Sequence, residues 1–197
     1  MSTTVSIIIG STREGRFSDQ PARWIEGHLS QRAGVTTRLL DLRDYSLPFF
    51  DSAMLPGIPG RPPYENEAVR RWTEQIAASD AFVIATPEYN FAAPAIVKNA
   101  LDWVYAEWHR KPIGFVSWGS VGGARAVQQL REVAVELHMA PVRNAVHLPA
   151  DAIYAHFQGK QDAIEAVLKA HDHHAGQLID DLLWWSDALK TARAATA

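Results

Sequence analysis

The chain has 197 residues, of which 47% are hydrophobic and 21% charged, and a net charge of −3. That is globular composition at a length suited to one domain, without the basic footprint of a nucleic-acid binder. No cysteine is present, which excludes disulfides, thiolate zinc sites and cysteine nucleophiles together. No apolar run reaches about 18 residues and the start, "MSTTVSIII", has no basic leader, so the expectation is a cytoplasmic protein that does not enter a membrane.

The first predicted element is a buried strand over residues 5–9. A helix follows, with Ala22, Ile25 and Leu29 on one face, and then a half-apolar strand at residues 36–40, "TTRLL". Residues 47–63 hold five prolines and two glycines and read as a long surface loop, a kind of segment that is often functional. Val69, Trp72, Ile76 and Ala77 mark the next helix, and "FVIA" at 82–85 the next strand. Val97, Ala100, Leu101 and Val104 share a helical face, "IGFV" at 113–116 reads as a strand, and Val127, Leu130, Ala134 and Leu137 mark a further helix. A weaker strand is expected at 142–146. Residues 160–189 follow the helical period as one long helix or two, with Gly176 as the weak point. Each apolar run is short enough for a strand, and strands alternating with helices imply parallel βαβ units. The predicted fold is a flavodoxin-like, doubly wound, five-stranded parallel sheet of order 2-1-3-4-5, with helices on both faces. One domain spanning residues 1–197 is expected, with a C-terminal helical extension at about 160–190.

Ligands in such sheets bind beyond the carboxyl ends of the strands, where three loops here carry unusual chemistry. In the first, Gly10 and Gly15 have the spacing of a nucleotide-binding P-loop. Arg16 and Phe17 stand where that loop needs Lys and Ser or Thr, which argues against magnesium-dependent nucleotide hydrolysis. Ser11, Thr12, Arg13, Arg16 and Ser18 supply hydroxyls and guanidinium forks for a terminal monophosphate, beside a helix that starts near Ser18 or Asp19. A polar turn with two solvated arginines is the alternative. In the second loop, Pro87 ends a strand and Pro94 suits the first turn of a helix. Between them Glu88, Tyr89, Asn90 and Phe91 suit a planar heteroaromatic ligand, although a capped turn with packed aromatics accounts for them equally. In the third, Gly119, Gly122 and Gly123 allow close backbone approach, and a helix starting near Gly123 or Ala124 offers amides to a carbonyl or a developing anion. A Gly-rich connection with no ligand is the plainer reading of that loop.

Taken together, "GSTREGRFSD", "TPEYNFAAPAIVKNALDW" and "GSVGGARA" resemble the NADPH-dependent FMN reductase family over roughly the first 145 residues. The run from P-E-Y-N to K-N-A-L-D-W is the specific part. The resemblance implies a flavodoxin-like enzyme that binds FMN and takes electrons from NADPH or NADH. Ser11, Arg13, Arg16 and Ser18, with Phe17 alongside, would hold the FMN phosphate. Pro87, Glu88, Tyr89, Asn90 and Phe91 would lie along the ring and ribityl chain. Ser117, Gly119, Ser120, Gly122 and Gly123 would frame the pyrimidine end, with backbone donors near Gly122 and Gly123 stabilising the reduced ring. Phe91 departs from the small residue or His that many relatives carry there. No protein side chain need act as a catalytic acid or nucleophile, since the flavin carries the chemistry. A non-enzymatic electron carrier or flavin sensor of the same fold is the alternative. The acceptor would be a small molecule: a free flavin, quinone, azo or nitro compound, or metal oxyanion. A homodimer or homotetramer is implied, with the Trp103–Trp108 segment and the proline-rich loop as candidate contacts. "HDHH" at residues 171–174 reads as a solvated helix face rather than a metal site. Trp184 and Trp185 suit core burial or oligomer packing.

Overall fold

The computed structural model describes residues 2–195. β1 (Thr3–Ile9), β3 (Ala81–Pro87) and β4 (Pro112–Trp118) are buried along almost their whole length. That is why they read as continuous apolar runs, since a parallel sheet is covered on both faces. β2 (Val35–Asp41) lies at the edge, where only Leu40 is fully buried, and its sequence is correspondingly half-apolar. The sheet order is β2-β1-β3-β4-β5 and every pairing is parallel.

The predicted fifth strand at 142–146 is corrected. It is split into β5 (Ala140–Pro141) and β6 (Val146–Leu148), both paired with β4. Pro141 has no N–H to give the ladder. Beyond it, Arg131 draws the carbonyls of Val142 and Arg143 away at 2.5 and 2.8 Å, and Asn144 donates to Asp181 at 2.7 Å.

Side chains alternate across the sheet with period two, so two cores form. Ile7, Ile9, Val83 and Val116 face α1 (Asp19–Ser30) and α7 (Asp172–Ala195). Ile8, Phe82, Ile84 and Phe115 face α2 (Glu67–Ala77), α3 (Ala95–Asp102) and α4 (Ala124–Glu136). The C-terminal region holds three helices, adding α5 (Ala150–Phe157) and α6 (Gln161–Ala170) before α7. The break falls at His171 and not at Gly176, which sits inside α7. Asp172 sets that break by accepting from Trp24 Nε1 at 3.0 Å and meeting His28 Nε2 at 2.9 Å. His171 in turn places Nδ1 2.8 Å from the Val167 carbonyl oxygen. α7 is seated on the sheet: a Cβ at Gly114 would stand 2.5 Å from Leu178 Cδ1, so the glycine on β4 admits the helix.

The helix expected to reach Val104 stops at Asp102, and one 3-10 turn follows at Ala106–Trp108. Trp103 and Trp108 are buried in the chain's own core, with the Trp108 ring 4.7 Å from Phe82 and 6.3 Å from Trp72. They are therefore not available to a second subunit. Trp184 and Trp185 are exposed, so core burial does not explain them. Phe49, Leu55 and Ile58 on the proline-rich loop are also exposed. That loop is anchored at its start by the K-N-A-L-D-W residues. Asn99 accepts from Phe50 N–H at 2.9 Å and donates to Pro48 O at 2.8 Å, and Trp103 Nε1 donates to Pro48 O at 2.8 Å.

Candidate functional site

The three loops converge at the carboxyl ends of β1, β3 and β4 around a cavity of about 350 Å³. Arg13, Arg16, Phe17 and Ser18 line it from the first loop, Pro87, Glu88 and Tyr89 from the second, and Gly119 and Ser120 from the third. Trp118, Ile153 and Phe157 complete the wall.

The first loop turns at Gly10, where backbone and helix come close: a Cβ there would meet Val97 Cγ2 at 2.9 Å and Ala85 O at 3.0 Å. Ser11 is buried and shares a 2.8 Å hydrogen bond with the Tyr89 hydroxyl, which ties the first loop to the second. Arg13 is exposed, with its guanidinium 5.7 Å from the Tyr89 ring centroid. No carboxylate pairs with Arg13 among the described residues. Ser18 stands at the N-cap of α1 without making a side-chain cap bond, and Gln20 N–H is bonded to Phe17 O at 3.0 Å while Pro21 has no N–H, so the Ser18 hydroxyl and the Asp19 amide are what α1 offers an anion. Phe17 is buried edge-on against Trp118, with ring centroids 5.5 Å apart.

Arg16 is placed otherwise than its sequence position implied. Its guanidinium turns to Asp19, Asp41 and the Ser11 carbonyl. Burial opposes its charge, but the hydrogen bonds it donates to the two carboxylates outweigh that and hold the arginine more firmly protonated than usual. Burial alone would raise the Asp41 carboxyl, and the Arg16 hydrogen bond reverses the sign and holds it below its usual range. Asp41, at the end of β2, carried no signal in the sequence. Asp19, which would repel an anion if unpaired, is neutralised by the same arginine.

In the second loop, Tyr89 and Ala92 exchange backbone hydrogen bonds of 2.9 and 3.0 Å around Asn90 and Phe91, which have φ of +50° and +72°. Two central residues with positive φ make a type I′ turn, a shape that favours Asn then Gly. A small residue after Asn is therefore the natural choice, and Phe91 holds the position under strain. Its exposed ring lies under the Arg125 guanidinium, 3.9 Å from the ring centroid. Asn90 and Phe91 form the tip of the turn rather than the cavity wall. Glu88 is not ligand-facing in its polar atoms. It accepts from Arg125 N–H at 3.0 Å and pairs with the Arg125 guanidinium, so it caps α4 from the neighbouring loop.

The third loop is held from beneath. Ser117 is buried and donates to Gly122 O at 2.7 Å, with His147 Nδ1 at 2.9 Å. Gly123 has φ +75°, and a Cβ there would meet Ser117 Cβ and Trp118 N at 2.8 Å. Ser117, Gly122 and Gly123 thus shape the loop, and Gly119 and Ser120 present it to the cavity. The amides of Gly122, Ala124 and Arg125 are already bonded to Gly119 O, Val121 O and Glu88. The reading of α4's first turn as an open anion site is corrected accordingly, since Glu88 occupies it.

Ile153 and Phe157 escaped the sequence reading because α5 did. Its eight residues include three alanines, and its apolar signal is short, with Ile153 and Phe157 one turn apart. His156, beside Phe157, has Nε2 3.0 Å from Gly15 O and latches α5 to the first loop.

The cavity offers an uncommitted guanidinium, a hydroxyl and one helix amide at one end, and Pro87, Tyr89, Trp118, Ile153 and Phe157 along the rest. That donor set fits a ligand with an anionic terminus and a flat heteroaromatic body. Comparison with known proteins agrees. A family model described as NADPH-dependent FMN reductase matches residues 3–152. An NAD(P)H-dependent FMN reductase of Schizosaccharomyces pombe is 38% identical over 151 residues, 76% of this chain and 75% of its own length. A quinone reductase of Escherichia coli is 32% identical over 139 residues, 68% of this chain and 70% of its own. Among solved structures, a flavoenzyme NAD(P)H:acceptor oxidoreductase of Paracoccus denitrificans superimposes with a TM-score of 0.64 at 24% identity, covering 91% of this chain and 97% of its own. That last likeness is one of fold.

Proposed function

The chain belongs to the NADPH-dependent FMN reductase family, and from that premise we propose how its residues hold FMN and serve an NAD(P)H-dependent reductase. FMN, when bound, would supply the redox chemistry of an NAD(P)H-dependent reductase. Arg13, the Ser18 hydroxyl and the Asp19 amide at the start of α1 hold the phosphate. Pro87 and Tyr89 flank the ring and ribityl chain, and the Ser11–Tyr89 hydrogen bond keeps the two loops in register. Gly119 and Ser120 bring backbone to the pyrimidine end, while Glu88 and Ser117 fix the loop behind them. Trp118, Phe17 and Ile153 keep water from the inner wall, Phe157 lines its exposed rim, and Phe91 stands outside it.

The single observation that carries this reading is the convergence of uncommitted Arg13 and aromatic Tyr89 on one cavity. Its openness to aromatic side chains suits planar acceptors, and quinones are the class we assign first. The enzyme is placed in the cytoplasm, as a homodimer or homotetramer that uses the exposed apolar residues of the proline-rich loop as a contact. Steady-state NAD(P)H oxidation by FMN-loaded protein, with and without a benzoquinone, tests the activity. Oxidation that rises with quinone concentration is expected, and a rate that ignores the quinone refutes the acceptor assignment.

A further inference from the structure

We propose that Arg16 is a positioning residue, locked by Asp41 and Asp19, which shapes the phosphate loop and gives no hydrogen bond to the phosphate itself. The inference rests on the FMN reading above. A guanidinium has five N–H donors, and in Arg16 each already has an acceptor. Nε–H and one Nη2–H go to Asp19 at 3.1 and 2.6 Å. The other Nη2–H and one Nη1–H go to Asp41, the latter at 2.7 Å. The last goes to Ser11 O at 2.6 Å. The side chain is 3% exposed, so no water-facing donor is left either.

The charge is committed as well. Two carboxylates face the Arg16 guanidinium and balance its charge, so Arg16 adds no net attraction for a phosphate and its contribution to binding is geometric. The Ser11 bond ties down the start of the loop, Asp19 ties down its end, and Asp41 fixes both to β2. Arg43 adds to this from the same edge, donating to Thr12 O at 3.3 Å and to Arg13 O. The loop is thus gripped through its carbonyls from one side. Arg13, the Ser18 hydroxyl and the Asp19 amide are left for the anion on the other.

The two roles for Arg16 differ in sign when Asp41 loses its charge. Were Arg16 a phosphate ligand, Asp41 would compete with FMN, and Asp41→Asn would tighten FMN binding. For a positioning residue the same change loosens the loop and weakens FMN binding about tenfold. Riboflavin, which lacks the phosphate, is the internal control, and its affinity should change less than about twofold. The measurement is fluorescence titration of the apo-protein with FMN and with riboflavin, with melting of each apo-variant to check folding. Asp19→Asn, at a half-exposed partner, is the second variant should Asp41→Asn not fold, and it should weaken FMN binding by a smaller factor. Unchanged or tighter FMN binding in a folded variant overturns the inference and leaves the FMN reading standing. A wild-type protein that binds FMN no better than riboflavin removes that reading and the inference with it.

Discussion

Raising the pH from about 7.5 to about 9.5 should stabilise this protein, because the Lys111 amine is held in a dry site and sheds its proton there more readily than in water. Lys111 is buried just before β4, and its Nζ donates to Ile76 O and Ala77 O at 2.8 and 3.1 Å, where α2 ends. Burial pushes its pKa from 10.5 down to about 8, with a further push from Arg193, and Asp80 and Glu107 oppose the shift. The neutral amine keeps two N–H groups, enough for both carbonyls, so deprotonation leaves the contacts intact. Between the folded and unfolded pKa values the unfolded chain holds the extra proton. Unfolding then takes up protons, and stability rises with pH. Integrated over that window, the gain is about 2 kcal/mol. Burial raises the pKa of Tyr45 and Tyr64 above the ordinary tyrosine value, so their ionisation opposes the trend only at higher pH. Urea unfolding of the apo-protein across the window measures the slope, and Lys111→Met should flatten it. Stability that stays level or falls, or an equal slope in Lys111→Met, would refute the reasoning.

Arg13→Ala should weaken FMN binding by about 1.5–3 kcal/mol, roughly tenfold to a hundredfold, and leave riboflavin binding alone; equal affinities of variant and wild type for FMN would remove Arg13 from the phosphate site. Gly123→Ala forces a Cβ to 2.8 Å from Ser117 Cβ and Trp118 N. It should cost about 2–4 kcal/mol in urea unfolding, and a cost under about 0.5 kcal/mol would show that the loop yields freely. Glu88→Gln keeps an acceptor for Arg125 N–H but loses the charge. A destabilisation of about 1–2 kcal/mol is expected, read by urea unfolding; none would mean that the charge of the Glu88–Arg125 pair adds nothing to the cap.

Much of the fold is legible because its signals are local. Residues such as Ile7, Val83 and Phe115 sit in short apolar runs that a buried parallel strand requires. The split of β5 and β6 is not local, since it depends on Arg131 and Asp181 reaching in from two helices. α5 is hard to read because it is about two turns long and Ile153 and Phe157 give a single i, i+4 pair. The three loops could be placed by topology alone, and they do meet. What each side chain does within them could not be read. Arg16 looks like a phosphate ligand until Asp41, 25 residues away, closes on it. Glu88 likewise looks ligand-facing until Arg125 appears across the loop. In both, a charged residue met its partner only through the fold. Phe91 is the converse case: its mismatch with relatives was legible, and the positive φ supplies the reason.

Anaerobic mixing of the FMN-loaded protein with NADH, and separately with NADPH, tests the assigned activity most directly. Bleaching of the flavin band by at least one donor, at least as fast as steady-state turnover with a quinone, is the expected result. Protein that holds FMN tightly yet is bleached by neither donor would contradict a hydride-accepting reductase and point to an electron carrier.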